Sequence, residues 1–298
     1  MSRPAKVISM ILGGLGNQLF CYAAARRLAI VNDAELVLDD ISGFEMDHLY
    51  RRSFQLDRFN IVSRKATWFE RMEPAGRLRR KISRVLAERI EFSRRKYVYQ
   101  KGVDFDPRLL TLRFSGDLYL HGNWQSFRYF FDIEDVLRRD LEMVPPRDVA
   151  NLSLCQKIES CESVAVHYRF FDQGGGGGVN NISKDYYRRA MEAVELISGD
   201  VVYFVFSDRP DLARSSGGFP ERRTVYVDIN EGVDSPCNDL WLMSKCQSFI
   251  IANSTFSWWG AWLGNRPGKI VVAPGARIQG GVMNWGFEGL LPESWIRC

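Results

Sequence analysis

Residues 6–39 read KVISMILGGLGNQLFCYAAARRLAIVNDAELVLD, and the order of residue types along them sets the fold class. An apolar run from Val7 to Leu12 meets a glycine-rich turn, Gly13 to Gly16. Leu19, Phe20, Ala23, Ala24 and Leu28 then recur on the buried side of a helix. Residues 34–39, AELVLD, return to a strand. Strand, helix and strand in this order form a βαβ unit, the building block of a parallel sheet.

The second half repeats the alternation. SVAVHYRF (163–170), VVYFVFSD (201–208), RTVYVD (223–228) and KIVVAP (269–274) read as strands. SKDYYRRAMEAVELI (183–197) and STFSWWGAWLG (254–264) read as helices, and PCNDLWLMSKCQSFIIAN (236–253) as a helix running into a strand. Short buried strands separated by helices predict a doubly wound parallel sheet. Pro145-Pro146 separates an Arg-rich first half from this regular second half, so the division falls near residue 150. The expected architecture is α/β, with two Rossmann-like domains, 1–150 and 151–298, facing a central cleft. Five consecutive glycines, Gly174 to Gly178, read as a mobile loop.

Composition excludes several classes. A net charge of +4 in 298 residues is too small to argue for nucleic acid. No run approaches the ~18 apolar residues of a membrane-spanning helix, and the N-terminus lacks the features of a secretory leader. Cys21, Cys155, Cys161, Cys237, Cys246 and Cys298 show no CxxC pairing, and the three histidines are scattered. No metal site is expected, and reduced thiols suit a cytoplasmic protein. One charge asymmetry stands out, RLRRKISRVLAERIEFSRRK (77–96). Leu78, Ile82, Val85, Leu86 and Ile90 recur at helical spacing, which predicts an amphipathic helix with its stripe on the core and a solvated basic face. The same pattern suits docking at an anionic membrane surface or an anionic substrate carrier.

Chemistry is concentrated at three strand ends. VAVHYRFFD (164–172) delivers His167, Arg169 and Asp172 to the carboxyl end of its strand, where ligands bind in open α/β sheets. His167 and Arg169, two residues apart, share a face, and a guanidinium suits a pyrophosphate; a plain ion pair of Arg169 with Asp172 is the alternative. FVFSD ends the next strand with Asp208. NSTFS (253–257) opens the tryptophan-rich helix, where Ser254 or Thr255 caps and the helix N-terminus attracts anions. A diphosphate held by Thr255, Ser257 and backbone N–H groups opposite Arg169 is the functional reading, while Trp258, Trp259 and Trp262 read as core. Gly14-x-Gly16 is followed by Leu19 where a dinucleotide fingerprint needs glycine, so NAD is disfavoured. Asn17 and Gln18 place polar amides at the first turn of that helix.

GGLGNQLFCYAAARRLA, RRSFQLDRFNI, LHGNWQSFRYF, VAVHYRFFD, ISKDYYRRAM, FVFSD and NSTFSWWGAWL together resemble the inverting α-1,2-fucosyltransferases of glycosyltransferase family 11, in the family's order. The resemblance implies a GT-B fold, GDP-β-L-fucose as donor, no metal or other cofactor, and transfer to the 2-hydroxyl of a β-galactoside with inversion. It implies that Arg169 binds the donor diphosphate, that His167 and Asp172 complete the same motif, and that Asn17 faces the donor. Ser254, Thr255 and Ser257 would meet phosphate. Asp208 joins this donor set, and Asp239 is placed like a guanine-binding carboxylate. Where the family continues with a second arginine and a glycine, Phe170 and Phe171 stand. Arg169 and the helix N-terminus would stabilise the departing GDP. Asp172 is the candidate base, with Asp39 or Asp40 as others. The acceptor would be a galactose-containing oligosaccharide, such as a lipid-linked O-antigen intermediate, met by a cytoplasmic protein peripheral at the inner membrane face. The competing readings are an α-1,6 linkage, against which SWWGAWL argues, and a non-catalytic nucleotide-sugar or glycan-binding protein.

Overall fold

Lys6–Leu12 form strand β1, and helix α1 (Leu15–Val31) carries the chain to β2 (Glu35–Gly43), parallel to β1 with Val7 opposite Leu36. This is the βαβ unit expected from residues 6–39. The chain continues through β3 (Arg64–Lys65), α2 (Gly76–Ala87), β4 (Tyr97–Tyr99), α3 (Arg108–Thr111), β5 (Asp117–His121) and α4 (Glu134–Asp140). The parallel sheet runs in the order β3-β2-β1-β5-β4. The computed structural model describes residues 4–171, 180–232, 235–278 and 285–298; the expected glycine loop lies outside these residues.

A second parallel sheet follows. Its elements are α5 (Val149–Glu159), β6 (Ser163–Tyr168), α6 (Lys184–Ser198), β7 (Val202–Ser207), α7 (Pro210–Ser216) and β8 (Thr224–Val227). They continue as α8 (Ser235–Lys245), β9 (Ser248–Ile250), α9 (Thr255–Leu263), β10 (Val271–Ala273) and β11 (Ile296–Arg297). The order is β11-β10-β9-β6-β7-β8, and Val166 of β6 sits between Val205 and Ile250. Every residue of β6 is buried, as a central parallel strand covered on both faces requires. From β6 the chain winds one way through β7 and β8, then returns to the other side for β9. The point of reversal lies between β6 and β9.

The chain divides into two compact units, one of Met1–Glu142 with Glu288–Leu290, the other of Met143–Phe287 with Leu291–Cys298. The change of unit comes before the 150/151 division read from the prolines, and three residues near the C-terminus rejoin the first unit. They do so through Gly289, whose carbonyl accepts from Phe127 N at 3.0 Å and from the Ser126 hydroxyl at 2.7 Å.

The basic segment departs from its expected role. Its helix ends at Ala87, and its apolar stripe does not cover the core. Leu78, Ile82, Val85 and Leu86 are exposed, whereas Arg80 is 5% exposed. The physical reason is a charged anchor: Arg80 donates to Arg71 O at 2.7 Å and to Glu45 at 3.0 Å.

Helix α9 behaves as expected. Trp258, Trp259 and Trp262 are at most 3% exposed. The Trp258 ring lies 5.0 Å from Trp259 at 71° and 5.3 Å from Trp295. A Cβ on Gly260 would come within 2.1 Å of Met243 Sδ, so any larger residue there would push the Met243 side chain of α8 aside. Trp258→Ala should therefore lower the unfolding free energy by roughly 3–5 kcal/mol. Denaturant titration checks this, and a loss below about 1 kcal/mol would be too small for a core tryptophan.

Candidate active site

Neighbouring strands β6 and β9 end on the same edge of the second sheet, on either side of the reversal point. That edge is where doubly wound sheets take ligands. Arg169 follows β6. After β9, Asn253 and Ser254 lead into α9, and the Ser254 hydroxyl caps the helix by accepting from Phe256 N at 3.3 Å. The His167 imidazole bridges the two ends, its ring 5.4 Å from that of Phe256. Its Nδ1 is buried with no partner among the described residues. Burial, reinforced by the Arg169 charge, pushes the imidazole down to about 3, so it is neutral at physiological pH. The Tyr187 hydroxyl donates to the His167 carbonyl at 2.9 Å and fixes this strand end.

Arg169 is held in place. Its Nη1 lies 2.7 Å from Asp208 Oδ2, at the end of β7, while Asp208 Oδ1 accepts from Phe170 N at 3.1 Å. One carboxylate thus ties both the guanidinium and the backbone beside it. Burial pushes the Asp208 carboxyl up and Arg169 opposes that shift. The two phenylalanines have distinct jobs. Phe170 packs against the core of the second unit, and the Phe171 ring lies 5.3 Å from Arg169 Cζ, a cation–π contact that adds a second restraint. Arg169 pairs with Asp208 across strands, and its alternative partner Asp172 lies outside the described residues.

At the start of α9 the three hydroxyls differ. Ser257 is fully buried and donates to Ser254 O at 3.2 Å, so its proton serves the first helical turn. Ser254 and Thr255 are half-buried at the start of the helix, an end whose dipole favours anions.

Asp239 lies on α8 in an unusual setting. Asn230 donates to it at 2.7 Å, and Asn230 and Asn151 exchange amide hydrogen bonds at 2.7 and 3.1 Å. Its partner here is an amide rather than a cation, so burial dominates and pushes the carboxyl up to about 7. A carboxylate in this state would gain from a ligand with paired N–H donors. Asn151 and Asn230 were not singled out from sequence. The only signal was an asparagine just beyond β8, in VDIN.

Asn17 sits in the first unit at the equivalent edge, between neighbours β1 and β5. Its Oδ1 accepts from Gln125 Nε2 at 2.8 Å. Gly13 before it has φ +75°, and a Cβ there would lie 2.6 Å from Asn17 Nδ2. Gln18 is tied to the backbone of Gly13, Ser53 and Gln55. Asp39 is fully buried and accepts from Ser42 N at 3.0 Å and from the Tyr119 hydroxyl. Its oxygens are spent on the fold, so it is a poor base. Asp40 lies 3.7 Å from Lys65.

Comparison with known proteins finds relatives that span nearly the whole chain. Residues 81–279 match the Glycosyl transferase family 11 domain. The chain is 30% identical to the O-antigen biosynthesis glycosyltransferase WbnK of Escherichia coli, over 97% of this chain and 99% of that one. It is 29% identical to an Escherichia coli alpha-1,2-colitosyltransferase, over 98% of each. Among solved structures, the NodZ alpha-1,6-fucosyltransferase crystallised with GDP, a protein from Bradyrhizobium, aligns with a TM-score of 0.52 at 16% identity, over 87% of this chain and 92% of that one. A mutant of Arabidopsis thaliana FUT1 in complex with GDP aligns with a TM-score of 0.51 at 11% identity, over 91% of this chain and 70% of that one. The fold is GT-B-like, with two parallel-sheet α/β units.

The Asp239 setting predicts a pH effect. Its folded pKa of about 7 stands above the ordinary 3.8, so between these values the folded chain holds a proton that the unfolded chain releases. Stability from this group is full below the lower value and is lost as pH rises toward 7. Asp239→Asn should therefore raise the melting midpoint of the ligand-free protein at pH 8 by a few degrees and leave it nearly unchanged at pH 4. Equal shifts at both pH values would mean that the carboxyl is not strained.

Proposed function

The chain belongs to glycosyltransferase family 11, and we propose from this that it moves L-fucose from GDP-β-L-fucose to the 2-hydroxyl of a β-galactoside, with inversion and without a metal ion. The observation that carries the reading is the placement of Arg169 and the α9 N-terminus at the ends of adjacent strands β6 and β9. Two positive ends on one sheet edge suit the diphosphate of a nucleotide sugar.

In the proposed reaction the acceptor oxygen attacks the anomeric carbon from the face opposite the β-linked phosphate. The carbon–oxygen bond to phosphate breaks, its electron pair goes to GDP, and the acceptor proton passes to a base. Charge grows on the departing diphosphate, where Arg169, the positive end of α9 and the hydroxyls of Ser254 and Thr255 would stabilise it with little reorganisation. Asp208 and Phe171 keep the guanidinium aimed. Neutral His167 offers hydrogen bonding rather than charge. Asp239 would accept from the guanine edge, which relieves its strained ionisation, and Asn17 would contact the donor. Asp172 is the proposed base.

A second reading concerns the sugar alone. The relative named as a colitosyltransferase matches nearly as well as WbnK, so GDP-colitose is the competing donor. The acceptor proposed is a galactose-containing O-antigen intermediate, by analogy with the relative's name.

Purified protein incubated with GDP-fucose or GDP-colitose and a panel of β-galactosides, with and without a chelator, should give an α-1,2 product insensitive to the chelator. Arg169→Ala should lower kcat about a hundredfold or more, near 3 kcal/mol of transition-state stabilisation. An Arg169→Ala enzyme with near-normal turnover, or GDP binding without sugar release by the parent protein, would remove the proposal.

A further inference from the structure

Helix α2 is turned the opposite way from an amphipathic helix lying on a core. Gly76, Arg80 and Ala87 form its buried side, and the Arg80 contacts to Arg71 O and Glu45 set its roll. Leu78, Ile82, Val85 and Leu86 follow at i, i+4, i+7 and i+8 on the opposite side, each between 49% and 58% exposed. At 3.6 residues per turn, Arg79 borders this stripe along one edge and Arg77 and Lys81 along the other, all three exposed. In the turn ahead of the helix, Trp68 and Phe69 are 47% and 79% exposed.

Charge identifies what covers the stripe. Residues 77–96 carry nine Lys or Arg against two Glu, an excess greater than the +4 of the whole chain, so the remainder is net negative. A second copy meeting the first through α2 would set like charge against like. An anionic bilayer surface fits both halves of the pattern. The stripe enters between headgroups, the flanking cations lie at phosphate level, and the net-negative remainder is repelled. Among the described residues no helix is long and apolar enough to cross a membrane, so the contact is superficial.

We propose that α2 is an interfacial anchor that seats the first unit on an anionic lipid surface. This does not depend on which sugar the protein transfers, so the two readings fail separately.

The full chain should co-sediment with vesicles of phosphatidylcholine containing phosphatidylglycerol, bind phosphatidylcholine vesicles weakly, and release as salt rises. Arg79→Ala with Lys81→Ala should weaken binding about fivefold for each cation lost. Ile82→Glu with Leu86→Glu should weaken it more than about tenfold. Both pairs change exposed positions only, and an unaltered melting curve verifies that each variant is folded. Three results overturn the proposal: no binding by the parent protein, equal binding to both vesicle types, or full binding by the glutamate pair. A dimer in solution that the glutamate pair abolishes also overturns it, because a second copy would then cover the stripe.

Discussion

Parallel pairing of β6 with β9, strands separated by most of the second unit's sequence, places two chain segments side by side at one sheet edge. The winding of the sheet reverses between these two strands, which is where doubly wound sheets take ligands. What sits at this edge follows from the pairing. The residue after β6 is a restrained arginine, and the residues after β9 start a helix whose first N–H groups lack intrahelical acceptors. The first unit repeats the geometry at β1 and β5, where the edge carries amides instead of charge, joined as Gln125 to Asn17.

Restraint is the theme of the charged site. A guanidinium on a flexible stem loses entropy when it grips a ligand. Here Asp208 fixes Arg169 and its backbone together, and Phe171 supplies a face beneath the cation. The tryptophans of α9, packed on one another and on Trp295, do the same for the opposite wall. Rigid walls mean that little must reorganise when charge develops between them. Asp239 shows the converse. An ionisable group held by amides, without a cation, is destabilising in the empty protein, and such local costs are characteristic of binding sites.

Strong local patterns made much of this readable from sequence. β1–α1–β2, β6 and α9 each combine a clear period with a recognisable turn or cap, so their types agree with the structure, although β2 runs on to Gly43 and β6 stops at Tyr168. Strands β4 and β5 were missed because YVY and DLYLH are too short to show a period. Partners were harder than elements. His167 and Arg169 could be placed on one strand face, but the pairing of Arg169 with Asp208 spans strands and depends on register. Hydroxyls at Ser254 and Ser257 look alike in sequence, yet only burial separates the cap from the internal bond. In α2 the periodicity correctly found a stripe. Which side turned inward was decided by Arg80, whose acceptors on Arg71 and Glu45 no helical pattern reveals.

Gly289 gives the chain an unusual dependence in time. The Ser126 hydroxyl and the Phe127 amide find their acceptor on a residue made more than half the chain later. During synthesis the first unit therefore emerges with a buried serine lacking its mate, and waits for nearly the whole polypeptide before it can close. A ribosome that stalls in the second half would leave the first half unsealed, as well as the second unfinished. Splitting the gene at residue 142 would likewise yield an amino-terminal fragment missing a stitch, which constrains how freely this half can be exchanged between relatives by recombination.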